Sequence, residues 1–128
     1  MEHAYILVID DEKGLRDMLS YTLARRGYRV KAVESGEKGL EAARAEEHDA
    51  VLCDIMMPGM NGLDVLAALK AERPSTEVIL ATGFPSAESS ARAAELGAFA
   101  YLAKPYDLMA LFALLDEAAA MKASRRVS

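Results

Sequence analysis

The sequence predicts one α/β domain built on a doubly wound parallel sheet of five strands, with helices on both faces. Three observations support this prediction. Short apolar segments recur five times, each separated from the next by room for a loop and a crossover helix. The intervening segments carry apolar residues at helical spacing. Charged and polar residues directly follow most of the apolar segments, where ligands bind in such sheets.

The predicted strands differ in how deeply they should be buried. The first, third and fourth are almost entirely apolar, which is typical of strands covered by helices on both faces. These three strands are therefore expected at the centre of the sheet. The five predicted strands are Tyr5–Ile9, Arg29–Val33, Ala50–Cys53, Val78–Ala81 and Ala100–Ala103.

Helices are predicted between the strands and after the last one. Ser35 and Ser86 suit the N-cap position, where a hydroxyl accepts a hydrogen bond from a free backbone N–H. Gly27 and Gly97 suit the position just after a helix, where a left-handed backbone is common. The apolar stripes that mark three of the helices consist of Leu15, Met18, Leu19 and Leu23, then Leu63, Leu66 and Leu69, then Leu108, Leu111, Phe112 and Leu115.

Length and composition are those of a single globular domain. The chain has 128 residues, of which 52% are hydrophobic and 27% charged, so a packed core is expected without disulfides. We assign 1–123 to the domain and 124–128 to a short C-terminal tail. The single cysteine, Cys53, favours a reducing compartment, and neither a signal peptide nor a membrane span is recognisable. We therefore expect a cytoplasmic protein.

The charge balance argues against one class of partner. The formal net charge is −5, and such a field opposes sequence-independent binding to a phosphate backbone. No direct contact with nucleic acid is therefore expected. The two histidines, His3 and His48, stand in polar surroundings and are expected at the surface.

Polar residues follow four of the five predicted strands. The carboxyl ends of parallel strands meet at one edge of the sheet, so these residues should lie near one another. They are Asp10, Asp11 and Glu12 after the first strand, Asp54 after the third, Thr82 and Gly83 after the fourth, and Lys104 and Pro105 after the fifth.

The three aspartates in this set predict a metal site. Two carboxylates about 5 Å apart repel each other by about 3 kcal/mol at an effective dielectric constant near 20, so the cluster calls for a cation. Oxygen ligands without cysteine or histidine suit a hard ion, and Mg²⁺ fits best. Met56, two residues after Asp54, is expected to add its carbonyl oxygen rather than its side chain.

Thr82 and Lys104 bring groups that handle anions to the same edge. The hydroxyl and the ammonium can bind phosphoryl oxygens, while a carboxylate beside a metal can act as a nucleophile. These parts indicate phosphoryl transfer, with Asp54 as the acceptor. Pro105 could hold a cis peptide that turns Lys104 inward, a point that the sequence leaves open.

Taken as a set, these motifs resemble the signature of bacterial two-component response-regulator receiver domains. The resemblance spans roughly Tyr5 to Ala120 and is specific, because four motifs occur in the right order on the right strand ends. Segments 81–84 and 97–102 also resemble receivers of enhancer-binding transcription activators. The motifs are Asp10-Asp11, Asp54 with Pro58-Gly59 and Gly62, Thr82-Gly83, and Lys104-Pro105.

The resemblance implies a flavodoxin-like receiver fold with strand order 2-1-3-4-5. It also implies that Mg²⁺ is bound by Asp11, Asp54 and the carbonyl of Met56, with Asp10 assisting through water. Tyr101 matches the aromatic switch position of the family, which turns inward as Thr82 moves toward the phosphoryl group. We also assign Pro105 to the switch, together with Thr82 and Tyr101.

The function implied is that of a phosphoacceptor switch rather than of an enzyme with its own substrate. A sensor histidine kinase or phosphotransfer protein would phosphorylate Asp54. The face formed by the fourth helix, fifth strand and fifth helix would then change for a downstream effector or output domain, or for a phosphorylation-dependent homodimer.

Three other functions share parts of this pattern. A hydrolase of the haloacid-dehalogenase kind would place a second aspartate two residues after the nucleophile, where this chain has Met56. A flavin carrier would need a phosphate-binding loop where Asp10 and Asp11 would repel the phosphate. A receiver-like adaptor that is never phosphorylated remains the strongest alternative.

Overall fold

A computed structural model describes residues 4–127 of the chain, with side chains up to residue 124. Strands and helices alternate strictly along this part of the chain, as the repeated apolar segments predict. The elements are β1 (Tyr5–Ile9), α1 (Lys13–Arg25), β2 (Arg29–Val33), α2 (Gly36–Ala45), β3 (Ala50–Asp54), α3 (Gly62–Glu72), β4 (Glu77–Thr82), α4 (Ala87–Glu95), β5 (Ala100–Ala103) and α5 (Leu108–Val127).

The five strands form one parallel sheet in the order β2-β1-β3-β4-β5. This confirms the predicted fold class and strand order. The central strands are longer than predicted, because Asp54 pairs with Ala81 and Thr82 pairs with Ala103. Two of the candidate site residues are thus the last residues of strands rather than the first residues of loops.

Side chains that alternate along the strands belong to two separate apolar layers, one on each face of the sheet. Leu7 and Ile9 of β1 pack with α2, α3 and α4 on one face. Ile6 and Val8 pack with α1 and α5 on the other face. β3 and β4 are buried along their whole length, as expected for strands covered on both sides.

The predicted helix ends are confirmed. The Ser35 and Ser86 side chains accept hydrogen bonds from the backbone N–H groups of Lys38 and Ser89. Gly27 and Gly97 follow α1 and α4 with φ values of 104° and 92°, a left-handed backbone that glycine adopts without a steric penalty.

The expectation for His48 is wrong. Its side chain is only 2% exposed and packs against the ring of Tyr5, because the segment before β3 is bonded to the start of β1, where Asp49 N donates to the backbone oxygen of Tyr5. The sequence shows that the neighbours of His48 are polar, but it does not show that the ring of Tyr5 packs against His48. His3 lies outside the described residues.

Helix α5 runs further than the domain assignment suggests. It continues through residues 124–127, which we assigned to a tail, and the division of the chain at 123 stays a prediction. Across the described residues, no helix combines the length and the apolar character that crossing a bilayer requires.

Gly62 closes the loop that follows Asp54 by bringing the start of α3 against the end of β3. A Cβ atom at this position would lie 2.7 Å from the Cα of Ile55 and closer still to the backbone oxygen of Asp54. Gly62 N also donates a hydrogen bond to the Ile55 oxygen, at 2.9 Å. A side chain could be accommodated here only if the backbone that carries Asp54 moved.

We therefore expect Gly62→Ala to lower the free energy of unfolding by about 1–3 kcal/mol, the usual cost of overpacking. Gly14→Ala is the matched control: Gly14 lies in α1 with open space around its Cα, and alanine there should be neutral or stabilise by up to about 1 kcal/mol. Urea denaturation of both variants provides the measurement. Equal stability of the two would contradict the close approach.

Candidate functional site

The predicted acidic cluster forms at the carboxyl edge of the sheet. β1 and β3 pair side by side with Ile9 opposite Cys53, so the residues that follow these two positions are brought together. One carboxylate oxygen from each of Asp10, Asp11 and Asp54 lies within 4.8 Å of the others. Asp10 and Asp54 are buried, whereas Asp11 is exposed.

Lys104 reaches this cluster from the end of β5. Its Nζ lies 2.8 Å from Asp10 Oδ2 and 3.3 Å from Asp54 Oδ2. The backbone places it there, because Lys104 N donates a hydrogen bond to Thr82 O at 2.8 Å. The peptide bond to Pro105 is cis, the point that the sequence left open.

Burial and charge act against each other on these groups. Burial raises the pKa of Asp54, and the negative charge of Asp10 adds to this, while the charge and hydrogen bond of Lys104 work in the opposite direction. Burial alone would lower the pKa of Lys104, but its hydrogen bonds and ion pairs with both aspartates outweigh burial and raise it. Lys104 therefore stays charged.

One ammonium group is too little positive charge for this cluster. Lys104 offsets one of the three carboxylates, which leaves two negative groups within a few ångströms of each other. Desolvated like charges of this kind are costly unless a cation joins them. The donor set, three carboxylates with one of them open to solvent, fits a hard divalent ion.

Thr82 lies at the same edge, on the neighbouring strand. It is 1% exposed, and its Oγ accepts a hydrogen bond from Phe84 N at 3.1 Å. A hydroxyl that accepts in this way still has its own hydrogen to donate. The described contacts thus link Thr82 to the loop that leads into α4, while its predicted contact with a phosphoryl group stays a prediction.

Met56 follows Asp54 on the loop above the cluster. Its N–H donates to Asp54 Oδ1 at 3.3 Å, which helps to orient that carboxylate, and its side chain is 59% exposed. Ligation of a metal by its carbonyl stays a prediction.

The hydroxyl of Tyr101 connects β5 to the beginning of α4. It accepts a hydrogen bond from Ser86 N at 3.1 Å and lies 2.5 Å from Ser89 Oγ, while the side chain packs against the apolar layer that contains α3. The sequence identified Ser86 as a cap and Tyr101 as a switch position. It did not reveal that the two are bonded to each other.

Sequence reasoning missed Arg16 and Tyr106. Arg16 Nη1 donates to the backbone oxygen of Asp10 at 2.9 Å and so fastens the acidic turn to α1. Burial raises the pKa of the Tyr106 hydroxyl, and the charges of Asp10 and Asp54 add to the effect. Neither residue has a motif of its own, since an arginine on a helix or a tyrosine after a proline is common.

A groove of about 470 Å³ opens beside Lys104, between α1 and the beginning of α5. Apolar side chains make up much of its wall. On the α4 side of the site, Phe84 is 78% exposed. The groove is lined by Glu12, Leu15, Met18, Gly83, Lys104, Pro105, Tyr106 and Leu108.

Known proteins share this arrangement of sequence and structure. The family model described as "response regulator receiver domain" matches residues 6–116. The transcriptional regulatory protein GlrR of Escherichia coli (strain K12) is 35% identical over 115 residues, which are 90% of this chain and 26% of that protein. The chain thus spans about a quarter of the length of this curated relative.

Two solved structures are also similar. The CheY-like receiver domain protein from Methanospirillum hungatei JF-1 superposes with a TM-score of 0.92 at 28% identity, covering 97% of this chain and 99% of that one. The response regulator TrrA from Thermotoga maritima, in complex with Mg²⁺ and BeF, has a TM-score of 0.82 at 29% identity and covers 90% and 98%.

The resemblance inferred from the strand-end motifs is therefore confirmed, and the transcriptional regulator among the relatives supports the kinship with receivers of transcription activators. Fold, motifs and family model agree over the same residues. The chain belongs to the response regulator receiver domain family.

Proposed function

We propose that Asp54 is the phosphoacceptor of a two-component signalling switch and that Mg²⁺ is its cofactor. One observation carries the proposal: the Asp54 carboxylate ends a buried central strand, lies in a group of three carboxylates and contacts the ammonium of Lys104. A carboxylate with only a structural role gains nothing from two negative neighbours.

Asp11, Asp54 and the carbonyl of Met56 are the ligands we assign to Mg²⁺, with Asp10 assisting through water. TrrA, which has the same fold, is described in complex with Mg²⁺ and BeF, and this supports the choice of ion. When bound, Mg²⁺ supplies positive charge that lowers the cost of bringing a phosphoryl group to a cluster of carboxylates.

In the proposed reaction, a carboxylate oxygen of Asp54 attacks phosphorus and forms an acyl phosphate. The bond between phosphorus and the donor breaks at the same time: a P–N bond of phosphohistidine, or a P–O bond of acetyl phosphate. The N–H of Met56 and the ammonium of Lys104 hold the attacking carboxylate in place. Lys104 and the hydroxyl of Thr82 then bind phosphoryl oxygens.

Movement of Thr82 is the step that we propose turns phosphorylation into a signal. If the Thr82 hydroxyl turns to the phosphoryl group, its hydrogen bond from Phe84 N is disturbed, and the segment from Gly83 to Ser86 must readjust. Ser86 N is bonded to the Tyr101 hydroxyl. The Tyr101 hydroxyl also contacts Ser89 in α4, so this readjustment changes how Tyr101 is held against α4 and alters the face made by α4, β5 and α5.

We propose a sensor histidine kinase or phosphotransfer protein as the phosphoryl donor, docking over the groove between α1 and α5. The altered α4–β5–α5 face then serves a downstream effector, an output domain or a second copy of the chain.

Such a switch works in the cytoplasm and needs no direct contact with nucleic acid. The acidic site favours this function over an adaptor that is never phosphorylated, and the switch is not an enzyme that turns over an external substrate.

Millimolar Mg²⁺ is expected to stabilise the protein, because an ion that binds only the folded state adds RT ln(1 + [L]/Kd) to its stability. At tenfold excess over Kd this is about 1.4 kcal/mol, or a rise in Tm of several degrees. Differential scanning fluorimetry with and without EDTA measures the shift. Asp17→Asn, which alters an exposed carboxylate of α1, should respond like wild type. An unchanged wild-type Tm would argue against the ion site.

Asp54→Asn should stabilise the metal-free protein by about 1 kcal/mol, because it removes one buried negative charge beside Asp10. The variant should also lose most of the response to Mg²⁺. Chemical denaturation in EDTA gives the first value and the Mg²⁺-induced shift in Tm the second. A less stable variant with an intact response would show that Asp54 serves structure instead.

Acetyl phosphate with Mg²⁺ should add one phosphoryl group to wild type and to Asp17→Asn, and none to Asp54→Ala. Lys104→Met should be labelled much more slowly, since it retains the nucleophile but loses the cation beside it. Intact-protein mass spectrometry gives the stoichiometry, and hydroxylamine should release the label because it cleaves acyl phosphates. Labelling of Asp54→Ala to the wild-type extent would refute the assignment.

A further inference from the structure

A second group of polar side chains, with His48, Thr76 and Lys122 buried at its centre, lies at the opposite edge of the sheet, where the strands begin. We call it the amino-edge cluster. It joins the end of α5 to the segments that precede β3 and β4, and none of its members contributes to the carboxyl-edge site described above. Its members are Tyr5, Glu47, His48, Thr76 and Lys122.

Lys122 occupies a position that an apolar residue would normally fill. The buried stripe of α5 consists of Leu111, Leu115 and Ala118, and Lys122 continues it with 0% exposure. Burying an ammonium costs several kcal/mol unless it is paired and hydrogen-bonded. Beyond Ala118, which still packs in the apolar layer, Lys122 therefore adds polar contacts that hold the end of α5 to the sheet.

These contacts form a short chain that reaches His48. Lys122 Nζ donates to Thr76 Oγ1 at 2.6 Å and pairs with Glu47 Oε1 at 3.1 Å. Thr76 Oγ1 donates in turn to the backbone oxygen of His48 at 3.3 Å. The position of the His48 backbone thus determines where the partners of Lys122 lie.

The imidazole of His48 is enclosed without satisfying its polar atoms. It is 2% exposed, and its centroid lies 4.4 Å from that of Tyr5 at an interplanar angle of 44°. Among the described residues, neither ring nitrogen has a partner at ordinary hydrogen-bond geometry, although the backbone of Glu46 lies close enough to favour protonation of the ring. A buried polar group in this state is costly, and a charged one more so.

The charges around His48 oppose one another. Burial lowers the pKa of the ring, and the positive charge of Lys122 adds to this, whereas Glu46 and Asp49 act in the opposite direction with a smaller total effect. Glu47 is engaged by Lys122. The titratable and charged groups on the elements packed here are Tyr5 on β1, Arg29 over the Tyr5 ring, Glu46, Glu47 and Asp49 before β3, Lys70 and Glu77 near Thr76, and Lys122 on α5.

We propose that the amino-edge cluster is a proton-sensitive clamp, in which neutral His48 keeps the end of α5 docked on the sheet and protonated His48 releases it. Protonation would add an N–H donor and a positive charge to a ring that is 2% exposed, and it would place a second cation beside Lys122. The apolar strand β3 stays in place. The docking of the last turns of α5 depends on Lys122, so these turns are the part that moves.

The direction of the pH effect follows from where the proton binds. The unfolded or released chain takes up a proton near pH 6.5, the ordinary value for histidine, while the docked state resists it. Docking should therefore be constant above pH 6.5 and weaken as the pH falls below that value. The clamp lies at the edge away from Asp54, so Asp54→Ala should leave it intact.

Hydrogen exchange and NMR on the full chain test this clamp. Between pH 7.5 and pH 5.0, amide exchange in segment 118–124, corrected for intrinsic rates, should accelerate at least about tenfold in wild type, starting as the pH falls through about 6.5, while the ring protons of docked His48 titrate at a lower pH; a tenfold factor corresponds to one pKa unit. His48→Phe retains a ring against Tyr5 and should abolish the acceleration. His3→Gln is the matched control and should behave as wild type.

Lys122→Met gives an independent reading, because removing the neighbouring cation should move the His48 pKa back toward 6.5. If His48→Phe fails to fold, the wild-type titration and Lys122→Met decide the question. The proposal is overturned if α5 exchange does not depend on pH, if docked His48 titrates at or above pH 6.5, or if His48→Phe retains the wild-type dependence. None of these outcomes depends on phosphorylation of Asp54.

Discussion

The contact of the Lys104 ammonium with the carboxylates of Asp10 and Asp54 is the interaction on which the rest of the site depends. It joins the ends of three strands and stabilises carboxylates that burial would otherwise leave unpaired. The charges of these side chains do not cancel, since one cation faces three carboxylates within 4.8 Å of one another. Under the proposed function, a divalent ion would offset the negative charge that Lys104 leaves unneutralised.

Hydrogen bonds connect the site to the beginning of α4. Thr82 is bonded to Phe84, and Ser86, two residues further on, is bonded to Tyr101. A short segment therefore separates the carboxyl edge of the sheet from the beginning of α4. Under the proposed function, chemistry at Asp54 needs to displace only this segment to alter a surface formed by α4 and β5. The strands behind this segment are buried along their whole length, and a close-packed interior transmits strain rather than absorbing it.

The buried charges at the two edges of the sheet differ in how completely they are paired. At the carboxyl edge, Asp11 is open to solvent and the cluster can take up ligands. At the amino edge, Lys122 is fully buried and its ammonium is bonded to Thr76 and Glu47, so its charge is already paired. Both edges use a lysine that reaches across strands, but only the first leaves negative charge to be neutralised. Long lysine side chains suit both tasks, because an apolar stem packs while the ammonium finds its partners.

The sequence by itself determined the class of fold, the strand order once the family resemblance was recognised, and the residues at the carboxyl edge. These follow from local signals: apolar runs, caps such as Ser35 and Ser86, and polar residues at strand ends that a parallel sheet must bring together. Tertiary structure decided what depends on residues distant in the chain. The burial of His48 under Tyr5, the pairing of Lys122 with Thr76 and the bond between Ser86 and Tyr101 each join segments that carry no signal of their partners. Local patterns report the backbone's preferences, whereas these contacts arise only when helices and strands pack against one another.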